Sequence, residues 1–115
     1  MIGSFMIVMS PSHRFKVDFI KRVNKLYEEG KVGVNIKRHQ LDWLKKVGYV
    51  ENKAQFLEKC SKLLEENPEL KNHEIFKHGK LFKNMATWQL LVLFGDIILE
   101  EIVTKYEENK NKKED

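Results

Sequence analysis

Residues 32–66 read VGVNIKRHQLDWLKKVGYVENKAQFLEKCSKLLEE, and the spacing of apolar residues changes twice within this stretch. From Val32 to Lys37 apolar residues alternate with small or polar ones, which predicts a short, half-buried β-strand. A helix is predicted next, from about Arg38 to Val47. After a turn, Asn52 is a good N-cap for a further helix that ends near Glu66. The predicted order is therefore strand, helix, turn, helix.

Helices are predicted on both sides of this stretch. Apolar residues recur at helical spacing from about Pro11 to Glu29, and Gly30 is expected to end that helix. A last helix is predicted from about Asn84 to Glu108, apolar nearly all round in its first half, which indicates burial on more than one side. We therefore expect a mainly α fold, a helical bundle with one short β-strand, as a single domain over residues 1–108. Residues 109–115 are predicted to be a disordered tail.

A single strand leaves backbone donors and acceptors unpaired, so the predicted strand needs a partner. The apolar run from Phe5 to Val8 could pair with it inside the chain. A second copy of the protein could pair with it instead. The sequence leaves both alternatives open.

The quoted stretch resembles the Arc/MetJ-type ribbon-helix-helix family of DNA-binding proteins. That family has an alternating strand, a helix with Leu-x-x-Leu, a glycine-containing turn and a second helix with a polar cap. The resemblance implies a ribbon-helix-helix core over residues 31–67 with N- and C-terminal helical extensions. It also implies a homodimer, in which the strands of two chains pair into a ribbon that enters the DNA major groove.

Six residues are candidates for contact with double-stranded DNA. The outward positions of the ribbon would be Gly33, Asn35 and Lys37, of which Asn35 and Lys37 would contact bases. Asn52 and Lys53, at the start of the second helix, would hold a phosphate, and Arg38 would assist. The expected function is a homodimeric transcriptional regulator.

The charge distribution agrees with an anionic partner for the first half of the chain. The formal net charge is +4. Residues 1–50 hold 10 Lys and Arg against 4 Asp and Glu, a net of +6, whereas residues 51–115 hold 11 against 13, a net of −2. Small lysine-rich proteins are often basic without binding DNA, so charge alone does not decide the matter.

No pattern of catalytic or metal-binding residues stands out. Cys60 lies on the apolar stripe of its helix and is expected to be a core thiol. The four histidines are expected to be surface residues, and they are His13, His39, His73 and His78. We therefore expect no enzymatic activity, no cofactor and no metal. The single cysteine and the lack of a membrane span or secretory signal favour a cytoplasmic protein.

A second hypothesis is a small helical module that binds another protein, such as an inhibitor, an immunity protein or an assembly adaptor. Trp43 and the apolar C-terminal helix would then carry the function. The two hypotheses differ in one simple property, because DNA binding weakens steeply with salt.

Overall fold

The computed structural model describes residues 11–73 and 84–114. The described chain is mainly helical, as predicted. It contains four α-helices, which are α1 (Pro11–Glu28), α2 (Gln40–Lys46), α3 (Lys53–Glu66) and α4 (Thr87–Glu114), and a 3-10 helix at Pro68–Asn72. The proposed pairing segment from Phe5 to Val8 lies outside the described residues.

Two glycines end helices by adopting a left-handed backbone. Gly30 has φ +75° just after α1, and the Lys31 N–H donates to the Leu26 carbonyl at 2.9 Å. Gly48 has φ +80° just after α2, and the Tyr49 N–H donates to the Leu44 carbonyl at 2.9 Å. These bonds satisfy carbonyls that the helix itself leaves free. The predicted helix stop at Gly30 is confirmed, and the second predicted helix, expected to end at about Val47, also ends just before a glycine.

The longest helix, α4, organises the core. It packs against α1, α2 and α3. Residues on several of its sides are therefore buried, and they are Leu90, Leu91, Leu93, Phe94, Ile98, Leu99 and Ile102. The predicted burial of this helix on more than one side is confirmed. The helix also runs on to Glu114, into the segment that was predicted to be a disordered tail.

None of the helices in the described ranges combines the length and the apolar character needed to cross a bilayer.

The predicted β-strand at residues 32–37 is wrong. Residues 31–39 form an irregular loop between α1 and α2, and neither described range contains a strand. The alternating burial that the pattern predicted is nevertheless present. Val32 and Ile36 are buried, whereas Gly33, Asn35 and Lys37 are exposed. The periodicity was therefore a correct guide to burial and a poor guide to backbone hydrogen bonding.

Side chains, rather than a second strand, bond the backbone of this loop. The Trp43 Nε1–H donates to the Val34 carbonyl at 2.7 Å, and the Ile36 N–H donates to the Asn24 Oδ1 at 3.1 Å. Both backbone groups are thereby satisfied within one chain, so the segment needs no ladder partner for them. Among the described residues, this loop therefore lacks the strand that the expected ribbon would require.

The start of α3 is fixed by a reciprocal cap. The Gln55 N–H donates to the Asn52 Oδ1 at 2.9 Å, and the Glu51 N–H donates to the Gln55 Oε1 at 2.6 Å. This arrangement is similar to a capping box, in which two residues each satisfy a free donor at the helix start. The prediction that Asn52 is an N-cap is confirmed.

We expect Asn52→Ala to lower the free energy of unfolding by about 0.5–2 kcal/mol, because the first turn of α3 loses an acceptor. Urea unfolding followed by circular dichroism measures this change. Asn52→Asp retains the acceptor and should keep stability close to the parent value. Equal losses in both variants would show that the cap does not depend on this acceptor.

Candidate functional site

Three of the residues predicted to contact DNA lie exposed on the loop between the first two helices. We call residues 31–39 the basic loop. Asn35, Lys37 and Arg38 are all exposed there. In the part of the chain that the structure describes, neither Lys37 nor Arg38 forms an ion pair, whereas Lys31 pairs with Glu29 at 3.6 Å. Within the described residues, these two adjacent cations therefore have no ion-pair partner.

Gly33 has a packing role that the sequence did not reveal. A Cβ atom at this position would lie 2.9 Å from Cε1 of Tyr106 on α4, closer than real Cβ contacts. The missing side chain therefore lets the basic loop approach the C-terminal helix. Although Gly33 itself is exposed, a side chain there would meet this ring, and the described loop is not a strand, so we do not place Gly33 in the candidate DNA contact.

Asn52 and Lys53, the predicted phosphate contacts, are both engaged within the chain. The Asn52 carboxamide oxygen caps α3. Lys53 is half-buried, and its Nζ donates to the Met85 carbonyl at 3.3 Å, which ties the start of α3 to the segment before α4. Both side chains thus hold the fold together, and we do not place them in the candidate DNA contact.

A cavity of about 580 Å³ lies where the turn between α2 and α3, helix α3 and helix α4 meet. We call it the lysine cavity. Four lysines and two tyrosines contribute to its lining, and they are Lys46, Lys59, Lys62, Lys105, Tyr49 and Tyr106. Residues Gly33 and Val34 of the basic loop also line it. The cavity is therefore built from segments that are distant in sequence.

Tyr49 and Lys59 are held by specific contacts. The Lys59 Nζ donates to the Tyr49 carbonyl at 2.6 Å and lies 4.0 Å from the centroid of the Tyr49 ring, a cation–π contact. The Tyr49 hydroxyl donates to Glu101 at 2.7 Å. Burial raises the pKa of Tyr49 well above its usual range, and the hydrogen bond and charge of Glu101 act in the same direction. This hydroxyl therefore remains a neutral donor.

The lysine cavity has a positive balance. Four lysines line it against two glutamates, Glu66 and Glu101. Among the described residues the ion pairs are Arg22 with Asp96 and Lys31 with Glu29, and neither includes a cavity lysine. The ammonium groups around the cavity therefore have no carboxylate in ion-pair contact within the described chain.

Comparisons with family models, curated proteins and solved structures found no match to this chain. The geometry of the basic loop and of the lysine cavity therefore carries the functional inference.

Other reactive side chains offer no further site among the residues described. Cys60 is fully buried, and burial raises its pKa to about 12, although the charge of Lys53 acts in the opposite direction. His13, His39 and His73 are exposed, and His78 lies outside the described residues. No group of three or more histidine, cysteine or acidic side chains in the described chain could hold a metal ion.

The lysine cavity was missed at the level of sequence. Lys59 and Lys62 are three apart on α3, a spacing that places both on one face of a helix and was available as a signal. Lys46 and Lys105 come from other helices, and nothing in their local sequence links them to α3.

Proposed function

We propose that this protein is a non-catalytic binding module whose basic loop contacts the phosphate backbone of double-stranded DNA. The observation that carries the proposal is the pair Lys37 and Arg38. Both are exposed, and neither forms an ion pair within the described residues. When such side chains bind a duplex, they release counterions that surround it, and this release makes the binding free energy more favourable.

The anchoring of the basic loop supports the proposal. Asn24 and Trp43 fix the loop backbone at Ile36 and Val34. A loop held in place before binding loses less conformational freedom when it meets a partner. Asn35 is exposed beside the two cations, and a carboxamide can bond the edge of an adenine. The phosphate contacts would therefore supply the affinity for DNA. Asn35 would add some preference for particular bases.

A further cation lies on the helix that follows the basic loop. Lys45 is exposed near the C-terminus of α2, which begins directly after the loop. A helix of this length rises about 1.5 Å per residue, so it spans roughly 10 Å. A duplex carries one charge about every 1.7 Å of its axis. The loop and α2 together could thus face several phosphates of one short stretch of DNA.

The proposal does not require a homodimer. The ribbon was the reason to expect two copies, and this structure bonds the relevant backbone groups of Val34 and Ile36 within one chain. A single basic loop could contact phosphates without a partner subunit.

The alternative of a protein-binding module has less support. Trp43, its expected anchor, is only 1% exposed, and the apolar residues of α4 are buried in the chain's own core. Among the described residues the one large exposed apolar side chain is Tyr27. Protein interfaces usually need a buried aromatic or apolar anchor, and these faces do not offer a cluster of them.

We expect Lys37→Ala/Arg38→Ala to weaken binding to a duplex oligonucleotide and to reduce its salt dependence. Each phosphate contact contributes about 0.9 to the slope of log K against log salt, so the slope should fall by about 2. Fluorescence anisotropy over a range of salt concentrations measures both quantities, and light scattering in the same buffer gives the oligomeric state.

The matched control is Lys71→Ala/Lys110→Ala, which removes the same charge from two other exposed positions. This control should retain the parent slope. If the parent chain does not bind the duplex at low salt, or if both double variants lose the same part of the slope, the basic loop is not a DNA contact.

A further inference from the structure

We propose that the lysine cavity is a binding site for a small organic anion with a planar ring. This inference goes beyond the proposed DNA contact. It concerns other lysines and a different class of ligand, so either proposal can fail without the other.

The size and walls of the cavity fit such a ligand. Its volume of about 580 Å³ lies within the range of roughly 300–1,000 Å³ that is usual for small-molecule pockets. Val47, Leu63 and Ile102 supply apolar wall. The two half-buried tyrosines, Tyr49 and Tyr106, add aromatic surface, against which a planar ring packs well.

The charges of the lining select an anion. Glu101 already accepts the Tyr49 hydroxyl, and Lys59 already holds the Tyr49 ring and carbonyl. Three further lysines are exposed around the cavity and have no such contact in the described chain, and they are Lys46, Lys62 and Lys105. An anionic group of the ligand would therefore meet ammonium donors at the mouth, while its ring occupied the apolar interior.

Contacts that join the walls of the site are a further support. Gly33 lies so close to the Tyr106 ring that any side chain there would displace one of them. The Tyr49 carbonyl accepts from Lys59 and the Tyr49 hydroxyl donates to Glu101, and these two bonds join the α2–α3 turn to α3 and α4. The walls are thus fixed by contacts within the chain, as expected for a cavity that is formed before its ligand binds.

A matched pair of fluorescent probes tests the proposal. The anion 8-anilinonaphthalene-1-sulfonate and the uncharged N-phenyl-1-naphthylamine have the same ring system, but only the first carries a sulfonate. We expect the sulfonate to bind the intact chain at one site and to bind at least about tenfold more tightly than the uncharged probe, because it gains charge-assisted hydrogen bonds.

The decisive variant is Lys62→Ala/Lys105→Ala. Both side chains are exposed, so their removal should leave the circular dichroism spectrum unchanged. We expect this variant to bind the sulfonate about tenfold or more weakly, with little change for the uncharged probe. Lys16→Ala/Lys21→Ala on α1 is the control, because neither residue lines the cavity, and it should retain the parent affinity.

Competition against the bound sulfonate probe distinguishes a ligand that carries a phosphate from one that carries a carboxylate. Displacement of the probe by 1-naphthyl phosphate but not by 1-naphthoate would indicate a phosphate-bearing ligand, and the opposite result a carboxylate. The proposal is overturned if the sulfonate binds at several equivalent sites or no more tightly than its uncharged relative. It is also overturned if the α1 control loses as much affinity as the cavity variant.

Discussion

Trp43→Ala is expected to lower the free energy of unfolding by about 3–5 kcal/mol, the usual cost of removing a large aromatic side chain from a core. Trp43 is 1% exposed and packs edge-on against Phe19, with the ring centroids 6.2 Å apart. Its Nε1–H also holds the Val34 carbonyl. The variant therefore loses core packing and an anchor of the basic loop together. Urea unfolding measured by circular dichroism gives the difference.

Trp43→Phe separates the two contributions. It retains an aromatic ring and removes the donor, so we expect a smaller loss, of which about 1–3 kcal/mol comes from leaving the Val34 carbonyl without a partner. Trp88→Phe is the matched control, because it makes the same substitution at a half-buried tryptophan. We expect it to lower the free energy of unfolding less than Trp43→Phe does. A Trp43→Phe variant as stable as the parent would show that the indole N–H does not stabilise the loop.

The second large expected effect concerns Cys60. Its thiol is fully buried, and its pKa is raised from an ordinary value of 9.0 to about 12. The reactive species is the thiolate, whose fraction near pH 8 should be lower in the folded chain by about a thousandfold. We therefore expect a disulfide reagent to modify Cys60 about a thousandfold more slowly, or slower still, in buffer than in denaturant. Comparable rates in the two conditions would contradict the buried position.

The same shift gives a pH dependence of stability. A pKa that is higher in the folded state means that the neutral thiol is favoured by folding. This contribution is fully present below pH 9.0 and is lost as the pH rises towards 12. Cys60→Ala removes the group, so its stability should fall less steeply with pH above 9 than that of the parent. Parallel curves for the two proteins would rule out this contribution.

The helices were predictable because their signals are local. The apolar spacing that includes Phe19 and Val23 predicted α1, and both residues are buried. Gly30, Gly48 and Asn52 end or begin helices through contacts within a few residues, so the sequence alone was sufficient for them. The extent of α4 was not, because its polar C-terminal turns have no apolar pattern to mark them.

The strand was predicted wrongly for a physical reason. Alternation reports which residues of an extended segment are buried, and it does not report what bonds their backbone. In the basic loop the partners are side chains of Asn24 and Trp43, which lie on α1 and α2. Side-chain hydrogen bonds between separate elements produce no periodic pattern in the sequence. The alternating residues were therefore interpreted as a strand that pairs with another strand.

The candidate sites also include one part that the local sequence predicts and another that depends on the packing of separate helices. The alternating pattern predicted that Asn35 and Lys37 are exposed, and Arg38 directly follows that pattern. The lysine cavity did not follow, because it exists only once α3 and α4 are packed together. Asn52 illustrates a further limit, since a cap and a phosphate contact require the same residue type at the same place, and the structure shows the cap.

The packing of α1 against α4 has a consequence for synthesis of the protein. Glu28 ends α1 and Thr87 begins α4, so residues 29–86, about half of the chain, are translated between them. At a translation rate of about 5–20 residues per second, the apolar face of α1 is synthesised several seconds before the helix that covers it. During that interval Phe19 and Val23 have no α4 to pack against, and the nascent chain is open to chaperones and to aggregation. We therefore expect truncations within α4 to be recovered mainly in insoluble form.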